Sequence, residues 1–217
     1  MSYTYKLLTY EDIDIIYDLQ EYVVSTIEDK NFFRPSTKEM LSKFISNGYI
    51  LGAFINHKLI AYRVLFIPNQ ESTNLGYDLN FDKNDLQKVV HLETALVHPR
   101  YRGDRLQVKL TKEIKKYFDL SDKIICSTCY PFNYPSLSNL IKMGLVIVKL
   151  KNKYNNMLRF ILTDKKSKAL NDNFYEINNN NLEEISNLLK SGYFGNKIGK
   201  KENEKNFNIC FQKRVWC

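Results

Sequence analysis

The chain has 217 residues, 44% hydrophobic and 13% aromatic, enough apolar mass for a packed core, which excludes a globally disordered polypeptide. Its 32 Lys and Arg against 24 Asp and Glu leave a net charge of +8. That admits an anionic partner, yet Lys165-Lys166-Ser167-Lys168 and the run from Lys197 to Lys205 read as solvated faces. No apolar run approaches the roughly 20 residues of a membrane helix. The start, Met1 to Lys6, shows no leader pattern, so no membrane partner and a cytoplasmic setting are expected.

In chain order, Tyr3 to Leu8 alternates as an opening strand. Thr9 and Asp12 form a capping pair before a helix marked by Ile13, Ile16, Val23 and Ile27. Ser36 is expected to cap a second helix with Glu39 reaching back, and Leu41, Phe44 and Ile45 supply its apolar stripe. Gly48 ends it. Tyr49 to Phe54 and Leu59 to Ile67 read as a hairpin joined by Ile55-Asn56-His57-Lys58. Residues 68–87 are polar and read as an ordered loop.

Val89 to Val97 is the next strand, broken off at His98-Pro99 because proline cannot continue a ladder. After Gly103, Leu106, Leu110, Ile114 and Phe118 share one helical face. Lys123 to Cys129 is an apolar strand, so the C-x-x-C of Cys126 and Cys129 reads as structural, with no second Cys pair for a metal or disulfide framework. A short helix places Leu137, Leu140 and Ile141 inward and stops at Gly144. Leu145 to Leu150 and Met157 to Thr163 make a closing hairpin. Beyond Asp164, a strand at Phe174–Ile177, a helix through Leu182 and Leu189, and a strand at Asn206–Gln212 form a small β-α-β appendage. The domains expected are thus 1–164 and 165–217. The fold class expected is mixed α/β, a central mixed, mostly antiparallel sheet flanked by helices.

The segment that carries chemistry is His91 to Gln107: a strand, a proline stop, a turn containing Gly103 and a helix start. Exposed N–H groups backed by the positive end of a helix dipole attract anions, and glycine lets the backbone approach a diphosphate. Arg102 and Arg105 add positive charge.

The run Val97-His98-Pro99-Arg100-Tyr101-Arg102-Gly103-Asp104-Arg105-Leu106-Gln107 resembles the acetyl-CoA motif of GNAT-type N-acetyltransferases, V-x-P-x-Y-R-G-x-G-[hydrophobic]-[small]. Tyr130 to Leu137, closing at Met143-Gly144-Leu145, resembles the family's P-x-N-x-x-[AS] turn and helix. The element order over residues 3–163 is similar too; the tail is not covered. Three positions depart: the second glycine is Arg105, the last small residue is Gln107, and the tyrosine general acid of many members is Leu140.

The resemblance implies an acyltransferase that uses acetyl-CoA as co-substrate, without a metal, and acetylates a primary amine by direct attack. It implies that Ala95, Leu96 and Val97 offer backbone N–H groups to the pantetheine and oxyanion. Arg102, Gly103, Asp104, Arg105, Leu106 and Gln107 would hold the diphosphate, and Asn133 and Ser136 would contact the pantetheine. Glu93 is the expected general base, with His91 two residues away as runner-up; Tyr130 and Tyr134 are the candidates to protonate the thiolate. The acceptor would be a small-molecule or peptide amine, and a homodimer stays open. Nucleic acid is not an expected partner, because no helix gathers base-reading Arg and Lys. The alternative is a catalytically weak, CoA-binding regulatory protein on the same fold.

Overall fold

The computed structural model describes residues 2–201 and 204–217. Its elements begin β1 (Thr4–Leu8), α1 (Ile13–Ser25), α2 (Lys38–Ser46), β2 (Gly48–Ile55) and β3 (Lys58–Phe66). Next come α3 (Leu75–Asp78), α4 (Lys83–Lys88), β4 (Val89–Val97), α5 (Leu106–Ile114), β5 (Ile124–Cys129) and α6 (Tyr134–Lys142). The chain ends with β6 (Val146–Lys153), β7 (Met157–Thr163), β8 (Ser167–Asn178), α7 (Leu182–Lys190), β9 (Tyr193–Gly199) and β10 (Asn208–Trp216). Met1, which opens the stretch read for a leader, and Glu202 and Asn203, inside the basic run 197–205, lie outside the described residues. Among the described residues, no helix is long and apolar enough to cross a membrane, and no His, Cys, Asp and Glu group could hold a metal.

The fold is mixed α/β, and contacts divide it into two compact units: Met1–Asn74 with Leu86–Lys123, and Leu75–Asp85 with Ile124–Cys217. This division differs from one at residue 164, because residues 165–217 group with 124–164 and with the short segment 75–85.

In the first unit the strands run β1-β2-β3-β4, each antiparallel to its neighbour. The β2–β3 hairpin turns on Asn56 and His57, both left-handed at φ 47° and 63°, which matches the primed turn that strand twist favours. Ile16, Leu19 and Val23 of α1 and Leu41 and Phe44 of α2 pack with Tyr62, Val64 and Phe66 of β3 in one core. Leu106, Leu110 and Ile114 are fully buried, the apolar face that spacing predicts, but α5 ends at Ile114 and Phe118 lies beyond it.

Helix α2 starts one residue later than expected. Thr37, not Ser36, is the cap, its hydroxyl accepting from the Met40 N–H at 3.2 Å. The reason is Gln20, fully buried in α1. Its side-chain amide donates to the Ser36 carbonyl and its carbonyl accepts the Ser36 N–H, both at 2.8 Å. One buried side chain thereby satisfies a residue that no helix or sheet supports.

In the second unit the order is β5-β7-β6-β9-β10-β8. Segment 68–87, read as a loop, holds two short helices. Its part in this unit, 75–85, is anchored by charge. Asp78 of α3 is 9% exposed and pairs with Lys151 at 2.6 Å and with Lys153, while Lys149 donates to its carbonyl. Burial pushes the Asp78 carboxyl pKa up, but the bonds from Lys151 and Lys153 outweigh it and hold the group below the usual range. Lys165 bonds Asp85 and lies 4.5 Å from the Phe81 ring centroid.

The tail corrects the β-α-β expectation by adding β9 and by lengthening both flanking strands. Gly195 of β9 pairs with Ile147 of β6, where an added Cβ would meet Ile147 Cδ1 and Ile209 Cγ2 at 3.0 Å. Strand β8 ends the row, pairing only partly with β10. Gln212 faces Phe174 and Arg214 faces Ala169, so residues 170–173 bulge opposite Lys213 alone.

Replacing Gln20 with Leu leaves the buried Ser36 N–H and carbonyl without that partner. Urea denaturation is expected to show a loss of about 1–3 kcal/mol, the usual cost of orphaning a buried polar group.

Candidate functional site

Strand β4 is interrupted where the chemistry is expected. Leu92 pairs with Leu65 and Ala95 with Arg63, so Glu93 and Thr94 together oppose Val64 alone. This bulge bends the strand and re-aims its side chains. Buried residues give way at Glu93, Thr94 and Ala95 to three half-exposed ones in succession, after which Leu96 is buried again.

Glu93 and His91 come together, as alternation along a strand predicts. The Glu93 carboxylate lies 3.0 Å from His91 Nδ1. The histidine side chain is 2% exposed and lies edge-on to Phe66, whereas Glu93 is 23% exposed. Solvent can therefore reach the carboxylate but not the imidazole behind it.

After Val97 the chain turns sharply. His98 is buried, stacks on Tyr22 of α1 with ring centroids 4.8 Å apart, and accepts the Arg100 N–H on Nδ1 at 3.2 Å. Burial pushes its pKa down, and Lys58, Arg100 and Arg102 push it the same way, so the neutral ring is favoured. Pro99–Tyr101 then form one turn of 3₁₀ helix.

Arg102 is extended, Gly103 takes φ 97°, and Arg105 sits left-handed at φ 54°, ψ 30° as the residue before α5. A Cβ built on Gly103 meets nothing within 4 Å, so it is the backbone angle that selects glycine there. Arg105 holds a conformation that a glycine would take freely. It does so against the Cβ clash that a left-handed residue carries. Among the described residues, no side chain caps the start of α5. Asp104 is drawn elsewhere: its carboxylate accepts the Tyr3 hydroxyl, which raises the Tyr3 pKa to about 12. Leu106 is buried beneath the turn, and Gln107 is half-buried.

Sequence reasoning passed over Arg63, in β3 directly across from Ala95. It is 3% exposed, and its Nη2 donates to the Gln107 carbonyl at 3.4 Å in the first turn of α5. Among the described residues, its Nε has no hydrogen-bond partner. The signal was present: a lone arginine inside the apolar run Leu59 to Ile67.

The remaining candidates belong to the second unit. Asn133 caps α6, its side chain accepting the Ser136 N–H at 3.1 Å. Tyr130 lies beneath the Arg159 guanidinium, 5.7 Å away, and against Phe132. Tyr134 packs on Phe207 at 5.1 Å with Lys200 over its ring. Leu140 is buried, as the helical pattern predicts. Cys126 and Cys129 are free, and burial pushes both thiols up to about 12, so neither offers a thiolate.

No protein-family model and no curated protein matches the sequence. Solved structures match the fold. The chain is similar to PaiA N-acetyltransferase from Thermoplasma acidophilum in complex with coenzyme A: TM-score 0.53, 18% identity, 76% of this chain and 100% of that one. It is also similar to an acetyltransferase of the GNAT family from Streptococcus pneumoniae, at TM-score 0.55 and 13% identity over 75% and 98% of the two chains. A third is Arabidopsis thaliana NAA60 in complex with acetyl-CoA, at TM-score 0.57 and 14% identity over 75% and 97%. The fold is that of GNAT-family acetyltransferases, as the two motifs led one to expect.

Two measurements check the turn. Arg105→Gly relieves left-handed strain of about 1–2 kcal/mol but adds glycine's unfolded-state entropy of about 0.5–1 kcal/mol. The expected net gain, read by denaturant unfolding, is about 0–1.5 kcal/mol by that difference; a destabilised variant would show that the Arg105 side chain holds the turn. For His98 the folded pKa lies below the ordinary 6.5. Its stabilising share is therefore present above about pH 6.5 and lost as pH falls through the folded value. Thermal unfolding of His98→Asn, which keeps an acceptor for the Arg100 N–H, is expected to lose less on acidification than the parent.

Proposed function

We propose that this protein is an N-acetyltransferase that moves the acetyl group of acetyl-CoA to a primary amine of a small molecule or peptide. The observation that carries the reading is the β4 bulge running into the left-handed turn at Gly103 and Arg105. Support comes from the fold, shared with structures that hold coenzyme A or acetyl-CoA. The residues fit that molecule: the positive end of α5 has no side-chain cap, Gly103 has open space over its Cα, and Arg63 brings a buried cation below. In this reading residues 102–107 hold the diphosphate, and the β4 backbone at Ala95–Val97 receives the pantetheine and the thioester oxygen.

The acceptor nitrogen needs its lone pair. Glu93 takes the proton, directly or through water, while His91 braces the carboxylate. The nitrogen then bonds to the carbonyl carbon, backbone N–H groups of β4 stabilise the oxyanion, and the carbon–sulfur bond breaks. Coenzyme A leaves as the thiolate, tolerable without a strong acid because a thiol pKa lies near 8.5, and it takes up the second proton that the acylated nitrogen sheds.

A second reading, a CoA-binding regulator with little turnover, is favoured by Leu140, buried where a proton-donating tyrosine is common. Titration calorimetry with acetyl-CoA, followed by thiol release over a panel of amines, separates the two. Binding and release are expected; binding without release for any amine supports the regulator. Glu93→Gln is expected to lower kcat by about 10²–10⁴-fold with CoA affinity unchanged. Undiminished turnover in that variant removes Glu93 as the base.

A further inference from the structure

Arg63 is the conspicuous charge in the first unit. An arginine in the middle of an apolar strand is costly, because a guanidinium taken out of water forfeits several kcal/mol unless a counter-charge offsets it. Arg63 is 3% exposed, and no carboxylate among the described residues pairs with it. Its Nε lacks any hydrogen-bond partner. Burial pushes its pKa down to about 10, which still leaves it charged at neutral pH.

What Arg63 touches gives the charge a direction. Its Nη2 donates to the Gln107 carbonyl, and Thr111 Oγ1 donates to that same oxygen at 2.8 Å. The carbonyl thus has a hydroxyl partner without the arginine, and the fold does not need Arg63 to satisfy it. Meanwhile the cation lies against the first turn of α5, where the helix dipole is already positive and no side chain caps the end. Two positive sources in one place repel each other. An anion at the turn would supply a counter-charge to both.

We propose that Arg63 is a positioning residue for a polyphosphate ester, its buried charge held in reserve for the diphosphate seated on the 102–107 turn. This rests on the acetyl-CoA reading of that turn and adds to it a specific source of affinity. Apart from binding, the residue is a liability. Its replacement by an apolar side chain of similar length is neutral or favourable for folding.

The test compares the parent, Arg63→Met and Arg63→Lys by titration calorimetry with coenzyme A and with pantetheine, which lacks phosphate. Thermal unfolding with inorganic pyrophosphate is the second readout. Arg63→Met is expected to unfold at the same or higher temperature without ligand. It should bind coenzyme A at least about tenfold more weakly, equivalent to 1.4 kcal/mol, bind pantetheine unchanged, and lose the pyrophosphate-induced shift. Arg63→Lys, which keeps the charge, should retain part of each. Equal coenzyme A affinity in Arg63→Met overturns the proposal, as does equal weakening toward pantetheine or failure of that variant to fold. A parent that responds to pyrophosphate through Arg63 but binds no coenzyme A sinks the acetyltransferase reading and leaves this inference standing. A parent that responds to neither overturns both.

Discussion

The site proposed in the first unit depends on how the backbone reverses between β4 and α5. Three residues set it: Arg102 extended, Gly103 at φ 97° and Arg105 at φ 54°. Together they end a strand and start a helix within a few residues, leaving the helix end open. The bulge at Glu93–Thr94 prepares this reversal by bending β4 ahead of it. His98, stacked on Tyr22 and bonded to the Arg100 N–H, pins the corner between them. A slack corner would let the amide groups point in many directions, and an anion would then have to order them at its own expense.

Much of this was legible in the sequence because its causes are local. Pro99 stops a strand wherever it occurs, Gly103 marks a positive φ, and the spacing of Leu106, Leu110 and Ile114 states which helical face is buried. The pairing of Glu93 with His91 follows from alternation along one strand. The bulge between them and Ala95 was not legible, since the extra residue is defined only against β3. The cap of α2 shifted from Ser36 to Thr37 because Gln20, sixteen residues earlier, had claimed Ser36. Strand β9 escaped notice because Gly195 and Gly199 dilute its pattern, and the reason for Gly195 lies in two distant isoleucines.

Arg105 shows that a left-handed residue before a helix need not be glycine. It holds φ 54° without the freedom that a glycine would have there. Such strain survives where surrounding packing over-determines the backbone, and buried Leu106 and Leu110 give α5 that fixed seat. The same helix covers Arg63, so apolar packing and a buried charge meet at one turn. The packing sets where the amides stand. In the proposed reading, the charge sets what they attract.

The outer strand β8 carries a separate consequence. Leu170 and Phe174 are more than half exposed on a twelve-residue edge, a surface that invites a neighbouring molecule to add a strand. Residues 170–173 spoil that template by swelling away from the ladder, with Asp172 at the swelling. A newcomer would find amide spacing it cannot match and a charge it would have to strip of water. The irregularity thus breaks the even row of amides along which another chain's strand would have to pair.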